Sequence, residues 1–291
     1  MTQKRTYMVV AGIVPLVVVG VSLMFFWCRF SQAAARLWAS WFMSEYKESV
    51  NSDGRYTNII FLHHSTGRNL ILEGNVRSLL TERGYQFWDH DYNHIGLTMP
   101  DGRLAQANYR IPGMNGAGDT DVVGLAALFA QPETTPPTNA FSRLLQHEVI
   151  IVKSCFPNSA IQDDAQLRQV QAWYLQMRAA IDAHPDHLFI IMTSPPLHPL
   201  ATNADEAARA RAVASWLASE EFLAGRANVV VFDFYGLLRD PHTNMLRADY
   251  QQSATEPDSH PNKLANETIG PLFVAFVDTA VQSFRQRREL P

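Results

Sequence analysis

From Tyr56 onward, apolar runs of strand length alternate with longer stretches of helical spacing. Residues 58–63 (NIIFLH), 149–153 (VIIVK), 188–193 (LFIIMT) and 228–234 (NVVVFDF) are near-continuously apolar, and 86–89 is a candidate for a short strand. Runs without alternation predict strands buried on both faces, as in a parallel sheet. Residues 70–83, 164–183, 205–224 and 263–287 carry apolar positions at helical spacing. Gly84 sits where a helix C-cap is expected. Gly270-Pro271 predicts a kink or a restart in the last helix. A short helix is expected over 122–130 and a surface loop over 132–138. Strands alternating with helices predict an α/β fold: a three-layer α/β/α sandwich with a mainly parallel sheet. In such sheets the site lies at the carboxyl ends of the strands. The segment between Tyr92 and His147, rich in Gly, Pro, Asn and Thr, is expected to be a long loop that shapes a cleft.

The N-terminus follows a different rule. Residues 7–28 contain no charge and consist mostly of Val, Ile, Leu, Met and Phe. A bilayer core needs roughly 20 apolar residues, so the run predicts one transmembrane helix. Lys4 and Arg5 precede it and Arg29 and Arg36 follow it, a near balance. The short N-terminal tail favours a signal anchor, with the bulk of the chain outside the cytoplasm. Ala33-Ala34-Ala35 offers a cleavage pattern, which keeps a removed signal peptide as the competing reading. Trp38, Trp41 and Phe42 suit a headgroup layer. The expected organisation is an anchor over 1–30, a juxtamembrane segment and linker over 31–54, and one domain over 55–291.

Composition narrows the function classes. The chain has 291 residues, 47% of them hydrophobic, and a formal net charge of -4. That length allows one α/β domain with a sizeable core. No basic block is present, which argues against a nucleic-acid partner. The two cysteines, Cys28 and Cys155, form neither a disulfide framework nor a metal spacing.

Three polar positions stand at predicted strand ends or before a helix. Ser65 follows the first strand in His63-His64-Ser65-Thr66-Gly67, where helix N–H groups can stabilise an anion. A serine hydroxyl attacks only when a neighbouring base takes its proton; the same position would also suit an ordinary N-cap serine. His260 lies in Asp258-Ser259-His260-Pro261 before the last helix, and a nearby acid can orient such a base. Asn158, in Ser154-Cys155-Phe156-Pro157-Asn158, could donate to an oxyanion or simply form a turn.

Taken together, residues 58–284 resemble the SGNH/GDSL hydrolase superfamily, whose fold is flavodoxin-like. The nucleophile block aligns with the first strand and His64-Ser65-Thr66-Gly67, without the literal GDSL letters. The Asn block aligns with 152–158, lacking its Gly and its following Asp. Thr193-Ser194-Pro195-Pro196 resembles a later stretch of the family. The His block aligns with Asp258 to Pro261, with one residue between acid and base where the family has two; Glu256 is the reserve acid. The resemblance implies a serine esterase with Ser65 as nucleophile, His260 as base and Asp258 as acid. It also implies an oxyanion hole from the Ser65 N–H, Asn158 and a glycine, for which Gly116 and Gly118 are preferred over Gly113. His64, Thr66, Arg68 and Asn69, with Asn115 and Asp119, are candidates for the substrate pocket. The expected substrate is a small acyl ester or an O-acylated glycan or lipid, with hydrolysis and acyl transfer both open. No cofactor and no metal are called for.

Three rivals share these residues. His63, His64, His90 and His94 with Asp89 and Asp91 could hold a divalent ion, although no HExxH-type spacing is present. Cys155 could be a nucleophile, or only a small buried hydrophobe. A degenerate hydrolase that binds glycan, or a scaffold, would keep the fold without the reaction.

Overall fold

The computed structural model describes residues 50, 52–91, 96–105, 109 and 122–289. The expected anchor, most of the juxtamembrane segment, and Gly113, Asn115, Gly116, Gly118 and Asp119 lie outside the described residues.

The chain runs β1 (Asn58–His63), α1 (Ser65–Glu73), α2 (Val76–Glu82), β2 (Gln86–Asp91), β3 (Leu97–Thr98), α3 (Val122–Phe129), α4 (Ala140–Leu144) and β4 (Val149–Lys153). It continues with a 3-10 turn (Phe156–Ser159), α5 (Asp164–Ala183), β5 (Leu188–Met192), α6 (Ala204–Leu217), α7 (Glu220–Leu223), β6 (Val229–Phe232), α8 (Phe234–Leu238) and α9 (Lys263–Glu289). The six strands form one sheet in the order β3-β2-β1-β4-β5-β6. All neighbours pair in parallel except β2 and β3.

Successive strand residues point to opposite faces, and both faces are covered. Ile60, Leu62, Ile150, Val152, Phe189 and Ile191 pack under α3, α5 and α6. Ile59, Phe61, Val149, Ile151, Leu188 and Ile190 pack under α1, α2 and α9. Full burial of such side chains contributes about 1.5–3 kcal/mol each, which is why these unbroken apolar runs become the sheet's centre.

Several boundaries differ from the expectations. The helix predicted over 70–83 begins at Ser65 and bends at Asn75, whose φ of 54° is left-handed. Gly84 does close α2, with φ +84°. The helix predicted over 205–224 is interrupted between α6 and α7. β3 and α4 are too short for their patterns to register. The last helix neither breaks nor restarts at Pro271, because that proline faces solvent and the Glu267 carbonyl it leaves unbonded is on the exposed side. By length and composition α9 could cross a membrane. Its Ile269, Phe273, Val274, Val277, Val281 and Phe284 are instead buried against the sheet.

Ignoring the antiparallel edge strand β3, the parallel strands run second-first-third-fourth-fifth. The order reverses between β1 and β4, and a crevice opens at the carboxyl ends of strands flanking such a switch point. Ser65 follows β1 there, and Lys153 ends β4.

Candidate active site

α1 starts directly after β1, so Ser65 stands at its first position. The first intrahelical bond runs from Arg68 N–H to the His64 carbonyl, 2.9 Å. The N–H groups of Ser65, Thr66 and Gly67 therefore have no carbonyl partner within the helix. The His64 side chain makes no capping bond to them. Gly67 lets this turn lie close on β1: a Cβ there would overlap the His63 side chain.

Ser65 Oγ lies 2.8 Å from His260 Nε2, across 195 positions of sequence. His260 Nδ1 lies 2.7 Å from Asp258 Oδ1. The carboxylate also accepts from the His260 backbone N–H at 2.9 Å, a turn closed by the aspartate's own side chain. With Nδ1–H donating to Asp258, Nε2 is left as the acceptor for the serine O–H. Burial alone would raise the Asp258 pKa. The two bonds from His260, with the electrostatic effect of the His260 and His198 rings, outweigh it and hold the carboxyl below its ordinary value. The Glu256 side chain is exposed, and Glu256 enters this loop through its carbonyl, which accepts from Asp258 N–H at 2.8 Å.

The loop is held by residues the sequence reading passed over. Ser259 is buried, and its Oγ accepts from His198 N–H at 2.9 Å. His198 Nε2 bonds the Ser253 carbonyl at 2.9 Å. Asn262 donates to the Asp249 and Gln251 carbonyls and accepts from Ala265 N–H, fixing the start of α9. Phe156 packs edge-on against the His260 ring, 5.0 Å between centroids.

The other expected residues fall in several places. Asn158 sits in the 3-10 turn after β4; its Oδ1 accepts from Val122 N–H at 3.0 Å and its Nδ2 donates to the Cys155 carbonyl at 3.2 Å. It thus anchors the start of α3. His64 and Thr66, expected to line a pocket, are fully buried at the strand-helix junction. Asn69 is half-buried. Arg68 lies 3.4 Å from Asp91 and lines a cavity of about 850 Å³ with Ile71, Leu72, Pro100 and Leu104. Arg68 and Leu72 are one and two turns from Ser65, on its side of α1.

Of the rival metal set, His94 lies outside the described residues. His63 directs Nδ1 to the His64 carbonyl, 2.9 Å, and Nε2 to Asp89, 3.0 Å, while Asp89 also takes Arg77. His90 Nε2 accepts from Tyr109 N–H at 3.3 Å. Among the described residues, the His/Asp donors close enough to share an ion are His184, Asp186 and His187, just before β5 and so at the amino end of that strand, whereas Ser65 follows the carboxyl end of β1. Cys155 is buried, with Sγ 4.0 Å from Thr66 Oγ1.

One buried cation belongs to none of the sequence motifs. Lys153, the last residue of the VIIVK strand, is fully buried beside Ser65's helix turn; its Nζ donates to Thr66 Oγ1 and, at 2.9 Å, to the Ser154 carbonyl. A charged residue ending an apolar strand was the available signal.

No family model and no curated protein sequence matches the chain. Among solved structures, it is similar to an inferred acylhydrolase from Bacteroides fragilis, with 10% identity, a TM-score of 0.46, and coverage of 84% of this chain and 94% of the other. It is also similar to a GDSL-like lipase from Bacteroides thetaiotaomicron, with 9% identity, a TM-score of 0.48, and coverage of 79% and 91%.

Proposed function

We propose that this protein is a serine ester hydrolase acting through Ser65, His260 and Asp258. The carrying observation is the continuous chain of contacts from Ser65 Oγ to His260 Nε2, 2.8 Å, and from His260 Nδ1 to Asp258, 2.7 Å. In the first step the Ser65 proton passes to His260 Nε2 as Oγ bonds the ester carbonyl carbon. The resulting oxyanion is held by N–H groups of the first turn of α1, with the Asn158 amide and a glycine N–H from residues 116–118 as further donors. Collapse expels the alcohol, which takes the proton from His260, and leaves an acyl group on Ser65. Water then repeats the sequence and releases the acid; a second hydroxyl in place of water makes the same site a transferase.

The N-terminal apolar run makes this a membrane-anchored enzyme with its domain outside the cytoplasm. That location suits O-acyl groups on cell-surface glycans or lipids.

The test is labelling of the full-length chain, in detergent, with a fluorophosphonate probe, alongside turnover of p-nitrophenyl acetate. The label is expected on Ser65, and Ser65→Ala is expected to lose both label and turnover while melting normally. Full turnover by Ser65→Ala would refute the reading.

A further inference from the structure

Lys153 is an ammonium placed where an apolar side chain would be cheaper. It ends β4, a central strand with four other fully apolar residues, and has no solvent exposure. Its hydrogen-bond acceptors are neutral: the Thr66 hydroxyl and the Ser154 carbonyl. The Phe234 ring lies 6.0 Å from Nζ. Among the described residues, no carboxylate is within ion-pair distance of it. The titratable groups acting on it from its surroundings are Asp91 at the end of β2, His63 at the end of β1, and Cys155 two residues on. A buried charge without a bonded counter-ion opposes folding, and groups kept in that condition concentrate at functional sites.

Its position gives the charge a use. Thr66 follows the nucleophile, and its N–H belongs to the first turn of α1, which offers unpaired donors to an anion. The ammonium clamps the Thr66 hydroxyl from beneath, on the protein side of that turn.

We propose that Lys153 is a positioning residue for the oxyanion site: as an ammonium it locks the Ser65-Thr66 turn through the Thr66 hydroxyl and sets a positive charge behind the developing oxyanion. This assignment rests on the hydrolase reading above. It requires the charged form, so activity should depend on the titration of Lys153. Burial lowers the Lys153 pKa from its ordinary 10.5 to about 8, against the raising effects of Cys155 and Asp91.

The experiment measures p-nitrophenyl acetate turnover against pH for the full-length chain in detergent, with Lys153→Met, Lys153→Arg and Thr66→Val. In the wild type, kcat should fall as pH rises through about 8, with KM unchanged. Lys153→Met should lower kcat about tenfold or more at neutral pH and abolish the alkaline fall. Lys153→Arg, which stays charged, should also abolish that fall. Should Lys153→Met fail to fold, Thr66→Val decides: it keeps the ammonium, and should lower kcat and move the alkaline fall to lower pH. A folded Lys153→Met with wild-type kcat and the same alkaline fall, or a Thr66→Val profile identical to wild type, overturns the assignment. Those results would leave fluorophosphonate labelling of Ser65 intact, so the hydrolase reading would survive them. A wild type that neither turns over the ester nor labels at Ser65 would remove both.

Discussion

Asp258 reaches His260 with a single residue between them because one carboxylate oxygen serves two donors. The His260 backbone N–H folds the loop back, and the same oxygen then meets the ring. Replacing His260 by alanine removes the base and should cost about 10²–10⁴ in kcat, the usual worth of a positioned general base. Asp258→Asn should reduce kcat with little change in KM, whereas Glu256→Gln should leave turnover unchanged because that side chain faces solvent. Asn158 combines two functions that one substitution confuses. Asn158→Ala removes the proposed oxyanion donor, worth about 10²–10³ in kcat, and also the acceptor of Val122 N–H. Asn158→Asp keeps that acceptor while losing the amide donor. Both variants lose the Nδ2 bond to the Cys155 carbonyl and should melt lower; a rate loss shared by the aspartate, which keeps the Val122 acceptor, marks the donor, and steady-state kinetics with thermal melts would show it.

At the level of elements, the nucleophile's helix is placed by a glycine contact. α1 ends at Gly74, which lies against Gly270 of α9 so closely that a Cβ on Gly270 would overlap the Gly74 carbonyl and Cα. Only backbone fits between these helices. Gly270→Ala should therefore destabilise the fold by about 1–3 kcal/mol through overpacking, and should loosen α1 enough to reduce labelling of Ser65. Denaturant unfolding and probe kinetics on the same protein would check both. Gly270-Pro271 reads in the sequence as helix punctuation. Its use is close packing, visible only once the partner helix is known.

For the molecule as a whole, a buried polar chain ties the sheet to the segment leading toward α3. His147, fully buried, bonds Asn58 through Nδ1 at 2.6 Å and Tyr109 OH through Nε2 at 2.7 Å. The neutral ring satisfies both, as donor to Asn58 and acceptor from Tyr109. Burial, with a smaller effect from His187, lowers its pKa to about 3. The unfolded chain takes up this proton near the ordinary 6.5 and the folded chain only near 3. Stability is therefore present above 6.5 and is lost as pH falls between those values. The melting temperature should decline over that window, and His147→Gln should melt lower at neutral pH with a shallower acid dependence. A series of thermal melts from pH 7 downward would test it.

Local patterning was enough to announce the α/β alternation, the four apolar strands, and a serine and a histidine near the starts of helices. Strand burial and helical spacing are short-range properties, so periodicity reveals them. Spacing alone does not single out Asp258, which stands one residue nearer His260 than the family pattern, and its own side-chain turn absorbs the difference. The depth of His64 and Thr66, the Val122 partner of Asn158, the Gly74–Gly270 contact and the Lys153–Thr66 clamp were invisible beforehand. Each joins residues far apart in the chain, or depends on which way a junction faces. Those relations come from the parallel crossovers that set β1 beside β4 and bring residue 260 back over residue 65, and no window of neighbouring residues encodes a crossover's destination.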